Sequence, residues 1–292
     1  MSNKVDITIL IPTKNEELNL ESCLRPLIGW AEKVLIVDSG STDKTIDIAA
    51  QYGIEVIQFN YLGGWPKKRQ SILENYSFQT EWILLLDSDE ILTSSIKTEI
   101  SEKITNKDVD GYYLFFKIEF LGRMLNYAAP PLRKLSLFRK GRGNFERRLT
   151  DQDASMGDME VHEHVYVEGV VREIKSPVLH RNSNSISRFI IKHDEYSNYE
   201  SRVHLFGEET SIKIKYFGGT KEEKRRFLKA KLIRFNFSPL LLFIYNYFLR
   251  FGFLDGRQGF YFVLYQSIYL YFVNSKMFEI EQNLKKTTNY NG

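Results

Sequence analysis

Cysteine is almost missing from this chain: Cys23 is the single one in 292 residues. One thiol cannot close an internal disulfide, which excludes a disulfide-stapled scaffold and fits a reducing compartment. Neither sign of charge dominates, since the formal net charge is +3, so no global field marks the chain for nucleic acid. Residues 1–6 lack the apolar segment of a leader peptide and a strand-like run follows at once, so a cytoplasmic protein is expected. Residues 8–17 hold no glycine, which argues against the glycine-rich phosphate loop of a nucleotidyltransferase. Long hydrophobic runs are missing too. A membrane-spanning helix needs about 20 apolar residues. The run 235–249 is broken by Asn236, Ser238, Pro239 and Asn246 and stopped by Arg250, and the run 259–273 is short and holds Gln266. No spanning helix is expected, and no internal repeat or low-complexity tract is present.

What remains is a chain with 43% hydrophobic residues, enough for one large core or one core plus an appendage. From residue 5 to about 92, short apolar runs alternate with longer mixed segments, as in βαβ units. This spacing predicts strands at 6–11, 33–37, 54–59 and 82–86, and helices near 16–28, 42–51 and 66–76. Asn15 is the expected N-cap of the first helix, and Ser41 or Thr42 of the second. Right-handed crossovers would make the sheet mainly parallel, with helices on both faces. Further strands are expected at 110–120, 133–139, 165–167 and 178–180, and a helix over 184–204 with Ile186, Phe189, Ile190 and His193 along one face. Residues 126–131 look like an active-site loop and 140–158 like a mobile one.

Three of these strands end in polar groups: Pro12-Thr13-Lys14-Asn15-Glu16-Glu17, Asp38-Ser39-Gly40-Ser41-Thr42-Asp43, and Asp87-Ser88-Asp89. Open α/β sheets bind ligands at the carboxyl ends of their strands. Strand-end turns also favour aspartate, and Asn15 and Glu16 suit an ordinary helix start. Two carboxylates one residue apart after the apolar run Trp82 to Leu86 are harder to explain as a turn, because a buried carboxylate needs a partner. Asp87 and Asp89 could approach one Mg²⁺ or Mn²⁺, hard cations that share oxygen ligands with a diphosphate. Asp38, emerging from a buried strand, could bond a base or ribose. A lone histidine is most often packed or solvated. Of His162, His164 and His180, the last, at a strand end, is the best candidate to touch metal or diphosphate.

The series Ile11 to Glu17, Val37 to Thr45 and Leu86 to Glu90, in this order, resembles the family 2 glycosyltransferases. Leu135-Ser136-Leu137-Phe138-Arg139, Val161-His162-Glu163 and Gly252 to Phe260 resemble the lipopolysaccharide-core glucosyltransferase subgroup. The resemblance implies the GT-A nucleotide-sugar-binding fold and an inverting, metal-dependent hexosyl transfer, with UDP-glucose as the expected donor. It implies nucleotide-sugar contacts from Pro12, Thr13, Lys14, Glu16, Asp38, Arg69 and Asp87, with Asp89 as direct metal ligand beside His180. An inverting transfer needs a base opposite the leaving group. The acids Asp158, Glu160 and Glu163 lie in the right region, and the resemblance implies Glu163, unless it is a surface acid or pairs with Arg147 or Arg148.

Near residue 212 the composition changes. Nine Lys or Arg between 213 and 234 precede aromatic-rich stretches. Short apolar helices beside cations suit the surface of an anionic leaflet. A lid or a dimer surface would use the same residues. The expected organisation is therefore a catalytic domain over 1–211 and a membrane-associating helical region over 212–292, peripheral on the inner face of the membrane. The expected acceptor is a membrane glycolipid or lipid-linked saccharide. A polyprenyl phosphate acceptor, or a non-catalytic membrane adaptor, are the alternatives.

Overall fold

The computed structural model describes residues 4–130, 132–149, 152–158, 160, 163–181, 185–207, 233 and 235–290. The chain divides into two compact units. One comprises Met1–Leu125, Pro130–Glu146 and Asp158–Ser185, the other Asn126–Ala129, Arg147–Gly157 and Ile186–Gly292. The boundary expected at 211/212 and the nine cations of 213–234 lie outside the described residues.

The first unit is built on β1 (Val5–Thr13), β2 (Ala31–Asp38), β3 (Glu55–Gln58), β4 (Trp82–Leu85), β5 (Glu90–Ile91), β6 (Gly111–Phe120), β7 (Arg123–Met124), β8 (Leu132–Arg139) and β11 (Val171–Arg181). They form one sheet in the order β3-β2-β1-β4-β8-β6-β11-β5, with β7 on β6. The stretch β3-β2-β1-β4 is parallel, as the βαβ spacing requires. Beyond β4 the sheet is mixed: β6 and β11 pair in parallel, and the other pairings are antiparallel. The β6–β7–β8 connections are too short for a crossover, so β8 runs antiparallel to both β4 and β6. A separate ribbon pairs β9 (Gly143–Phe145) with β10 (Val165–Val167). The segment expected to be mobile, 140–158, thus contributes a strand whose Phe145 is buried.

Period-two alternation sends side chains to both faces, so both must be covered. Ile7, Ile9, Ile11 and Ile36 pack with Leu20, Cys23 and Leu24 of α1 (Leu20–Leu24), Ala49 of α2 (Thr45–Gln51), and Ile96 and Ile100 of α4 (Ser94–Lys103). Leu10, Leu35 and Val37 meet Ile72 of α3 (Lys68–Asn75) on the other face. The helices are shorter than expected at their starts. Asn15 does not cap α1, whose N-cap is Asn19, and α2 begins after Lys44, not Ser41 or Thr42. The residues before both helices are spent instead on bonds between the two loops.

In the second unit α5 (Ile186–Phe206) lies along α7 (Gly256–Tyr290). Tyr269 Oη donates to Glu200 Oε2 at 3.1 Å and Lys276 Nζ to Asp194 Oδ1 at 2.6 Å. The expected 184–204 helix is α5, and its His193 stacks tilted on Phe189. The run 235–249 becomes α6 (Ser238–Ile244) followed by a π turn, Tyr245–Leu249. The run 259–273 lies wholly inside α7. Among the described residues no helix is long and apolar enough to cross a membrane.

Gly143 carries a packing constraint: a Cβ there would overlap the Phe138 ring. Gly143→Ala is expected to cost roughly 1–3 kcal/mol by overpacking, read as a lower urea midpoint with an unchanged slope.

Candidate active site

Register brings the strand ends level. Thr13 of β1 pairs with Asp38 of β2, and Leu10 with Leu85 of β4, so the polar turns after β1, β2 and β4 share one edge of the sheet. Asp38 is fully buried. Its carboxylate accepts from Thr13 Oγ1 (2.8 Å), Ser41 N (2.8 Å) and Ser41 Oγ. The β1 and β2 loops are laced together: Asn15, at φ 55°, donates its N–H to Ser41 Oγ and accepts Thr42 N, and Glu16 N donates to Thr45 Oγ1. Glu16 is buried and takes Asn19 Nδ2 at 2.8 Å. Pro12 and Thr13 are buried, whereas Lys14 is exposed.

The start of α3 gathers the acids expected to include the base. Glu160 accepts the N–H groups of Arg69 (3.2 Å) and Gln70 (2.9 Å), the unsatisfied donors of a helix N-terminus. Burial raises its pKa. Lys68 Nζ lies 3.0 Å from Asp158 Oδ2 and donates to Thr13 O at 2.9 Å. Burial lowers the pKa of Lys68. Burial would raise that of Asp158, but the Lys68 charge and a Ser39 hydrogen bond bring it below the ordinary carboxylate value. Glu163 is paired at 3.1 Å with Lys67, both side chains being almost without exposure. His162 lies outside the described residues, and His164 N donates to Glu146 Oε1 at 3.2 Å.

Asp87 stands between two cations. Arg69 Nη2 binds one carboxylate oxygen and Lys134 Nζ the other at 3.0 Å. Burial would raise this carboxyl, but Arg69 and Lys134 outweigh it and hold Asp87 well below the usual carboxylate range. Lys134 also reaches Glu90 Oε1 at 2.7 Å, and Glu90 Oε2 accepts Asp87 N at 2.8 Å. Lys134 and Glu90 escaped the sequence reading. Lys134 is one lysine in a strand, and Glu90 stands beside two more conspicuous aspartates.

Asp89 and His180 converge. The pairing of β5 with β11 sets His180 opposite Glu90, with Nε2 3.5 Å from Asp89 Oδ2 and Nδ1 3.7 Å from Glu90 Oε1. Burial would lower the imidazole pKa, but the Asp89 and Glu90 charges lift it to about 9. Donors on one Mg²⁺ or Mn²⁺ lie about 2.1 Å from it and hence roughly 3 Å apart, so Asp89 and His180 are near enough to share a cation once the imidazole gives up its proton. Among the described residues no group of three or more His, Cys, Asp or Glu could hold a metal. A cation here would complete its shell with ligand oxygens and water, as Mg²⁺ commonly does.

Charged groups collected at the carboxyl ends of parallel strands define an α/β enzyme with a polar site at that edge. Residues 8–166, which carry all of these groups except His180, match the model of glycosyl transferase family 2, and the chain belongs to that family. It is a glycosyltransferase, with a fold of the GT-A type. It is 25% identical over 291 residues to the lipopolysaccharide core biosynthesis glycosyltransferase LpsC of Rhizobium meliloti, covering 96% of this chain and 94% of that one. An uncharacterized glycosyltransferase of Rickettsia bellii is 28% identical over 205 residues, 67% of this chain and 66% of its relative. Among solved structures, S. aureus TarS 1–349 aligns with a TM-score of 0.41 at 16% identity, over 88% of this chain and 90% of that chain. The glucosyl-3-phosphoglycerate synthase of Mycobacterium tuberculosis, solved with Mn²⁺, UDP and glucosyl-3-phosphoglycerate, aligns with a TM-score of 0.38 at 14% identity, over 69% and 80%.

The depressed pKa of Asp87 sets an acid dependence. Its stabilisation is complete above the unfolded carboxylate pKa of about 3.9 and fades as pH falls below that value. Asp87→Asn is expected to melt lower than wild type at neutral pH, with the gap closing as pH drops below about 4. Thermal melts across the acid range check this.

Proposed function

We propose that this glycosyltransferase moves a hexose, glucose in our reading, from a UDP-linked donor to a membrane glycolipid such as a lipopolysaccharide core or a lipid-linked saccharide, with inversion. The observation that carries it is the pairing of Asp89 with His180 beside an Asp87 already charge-balanced by Arg69 and Lys134. The likeness to LpsC over 96% of the chain supports the acceptor class. Asp89 and His180 would hold Mg²⁺ or Mn²⁺, which when bound offsets charge on the departing nucleoside diphosphate. Arg69 and Lys134 keep Asp87 ionised and orient it as a hydrogen-bond acceptor toward the nucleotide side. Pro12, Thr13, Lys14, Glu16 and Asp38 shape the base and ribose end, with Lys14 as the exposed charge among them. In this reading residues 1–211 catalyse and 212–292 associate with the inner face of the membrane.

Glu163 is the proposed base, removing the proton of the acceptor hydroxyl. Its burial against Lys67 means that this ion pair must open before the carboxylate meets an acceptor. That same burial favours a second reading, in which the acceptor is a polyprenyl phosphate. Such an acceptor is already an anion and needs no base.

Donor hydrolysis and transfer across UDP-, GDP- and dTDP-sugars with Mg²⁺ or Mn²⁺ tests the proposal. Turnover of a UDP-sugar that falls on the order of a hundredfold or more in Asp89→Ala is expected, given the several kcal/mol a metal supplies. Full activity in that variant contradicts it. Glu163→Gln is expected to lower transfer to a hydroxyl acceptor by about 10²–10⁴-fold, while preserved transfer selects the polyprenyl phosphate.

A further inference from the structure

The second unit contains a stretch built inside out. Between Phe235 and Gly256 the only charged residues are Arg250 and Asp255, and both are turned inward. Asp255, 1% exposed, accepts the backbone N–H groups of Asn126 (3.1 Å), Tyr127 (2.8 Å) and Ala128 (2.8 Å). Arg250 donates to Ala129 O at 3.1 Å and to Asn246 Oδ1 at 3.4 Å. The polar side chains Ser238 and Asn246 are buried as well. Gly252 is needed here, since a Cβ would meet Asn246 O at 2.6 Å. The apolar side chains point the other way: Leu240, Tyr245, Phe248, Leu249, Phe251 and Leu254 are all exposed, Leu249 to 66%. A protein surrounded by water would reverse this arrangement, because exposed apolar patches of this kind mark an interaction surface.

We propose that residues 235–261 sit in the headgroup–acyl boundary of an anionic leaflet, with the apolar side chains in lipid, Arg250 and Asp255 gripping the 126–129 loop, and the exposed Arg257 available to the headgroups. The occupant follows from charge and side-chain type. Residues 213–234 supply nine Lys or Arg against two Glu directly before the stretch, complementary to an anionic surface. Apart from Asn236 and Arg257, the exposed side chains are Leu, Ile, Phe and Tyr, the set that partitions to a bilayer interface. No exposed acid interrupts them. Asp255 thereby acts as a positioning residue, tying Asn126–Ala129 to the lipid-bound segment. This deepens the proposed use of a membrane acceptor and rests on it for its purpose, while lipid binding is measured without any sugar transfer.

The test is flotation of the full chain with phosphatidylglycerol–phosphatidylethanolamine vesicles and with phosphatidylcholine vesicles, comparing wild type with the triple variant F248S/L249S/L254S. These side chains are half-exposed or more, so the fold should survive, and unchanged UDP-sugar hydrolysis confirms it. Wild type is expected to float with the anionic vesicles and to keep part of that binding in high salt. The triple variant should bind at least about tenfold more weakly, since several buried apolar groups are lost. Equal binding of the two proteins overturns the proposal. So does a wild type that ignores vesicles, and a dimer that the triple variant turns into monomer would assign the face to a second copy. Failed sugar hydrolysis with intact vesicle binding would overturn the enzymatic reading and leave this one standing.

Discussion

Below the surface of this protein no charge can stand alone, and the edge of the sheet is organised by that constraint. An ion left unpaired in the interior costs several kcal/mol, and removing one partner of a buried pair typically costs about 3–5 kcal/mol. The three consecutive cations that open α3 meet this demand in three directions. Lys67 pairs with Glu163, Lys68 with Asp158, and Arg69 with Asp87. Glu160 takes the helix N–H groups between them. One short helix start thus connects the 158–163 segment, the β1 turn through Thr13 O, and the acidic turn after β4.

This pairing sorts acids that look equivalent as letters. Glu160 is spent on a helix terminus, and Asp158 and Glu163 on lysines. Asp87 is held ionised between Arg69 and Lys134. Asp89 faces the His180 imidazole across 3.5 Å. Glu90, almost fully buried, binds Lys134 and the Asp87 N–H and lies against His180. It thereby joins β4, β8 and β11 around the site.

Much of this edge was legible in the sequence. Apolar runs such as Trp82–Leu85 mark buried strands whatever their partners, and the doublet Asp87/Asp89 stood out because burial makes carboxylates conspicuous. His180 could be singled out as a strand-end histidine. Lys134 could not, because its partners lie 44 and 47 positions away and only the β8 register reveals them. The antiparallel pairings beyond β4 escaped because strand runs alone do not encode direction. Asn15, Ser41 and Thr42 carry good capping chemistry that tertiary structure redirected to bonds between loops. Asp255 was visible within a glycine-bearing motif, but its three backbone donors lie far off in sequence. The outward turn of Phe248 and Leu249 is likewise invisible in a run that also suits a buried helix.

The central claim is that Asp89 and His180, beside the charge-balanced Asp87, receive a divalent cation together with a nucleoside diphosphate. Titrating Mn²⁺ into the protein with and without UDP, following the paramagnetic resonance of the free ion, addresses it most directly. Loss of the free-ion signal at one equivalent when UDP is present, and its persistence in Asp89→Ala, is the predicted result. Mn²⁺ that stays free in the presence of protein and UDP, or that binds Asp89→Ala equally well, would contradict the account.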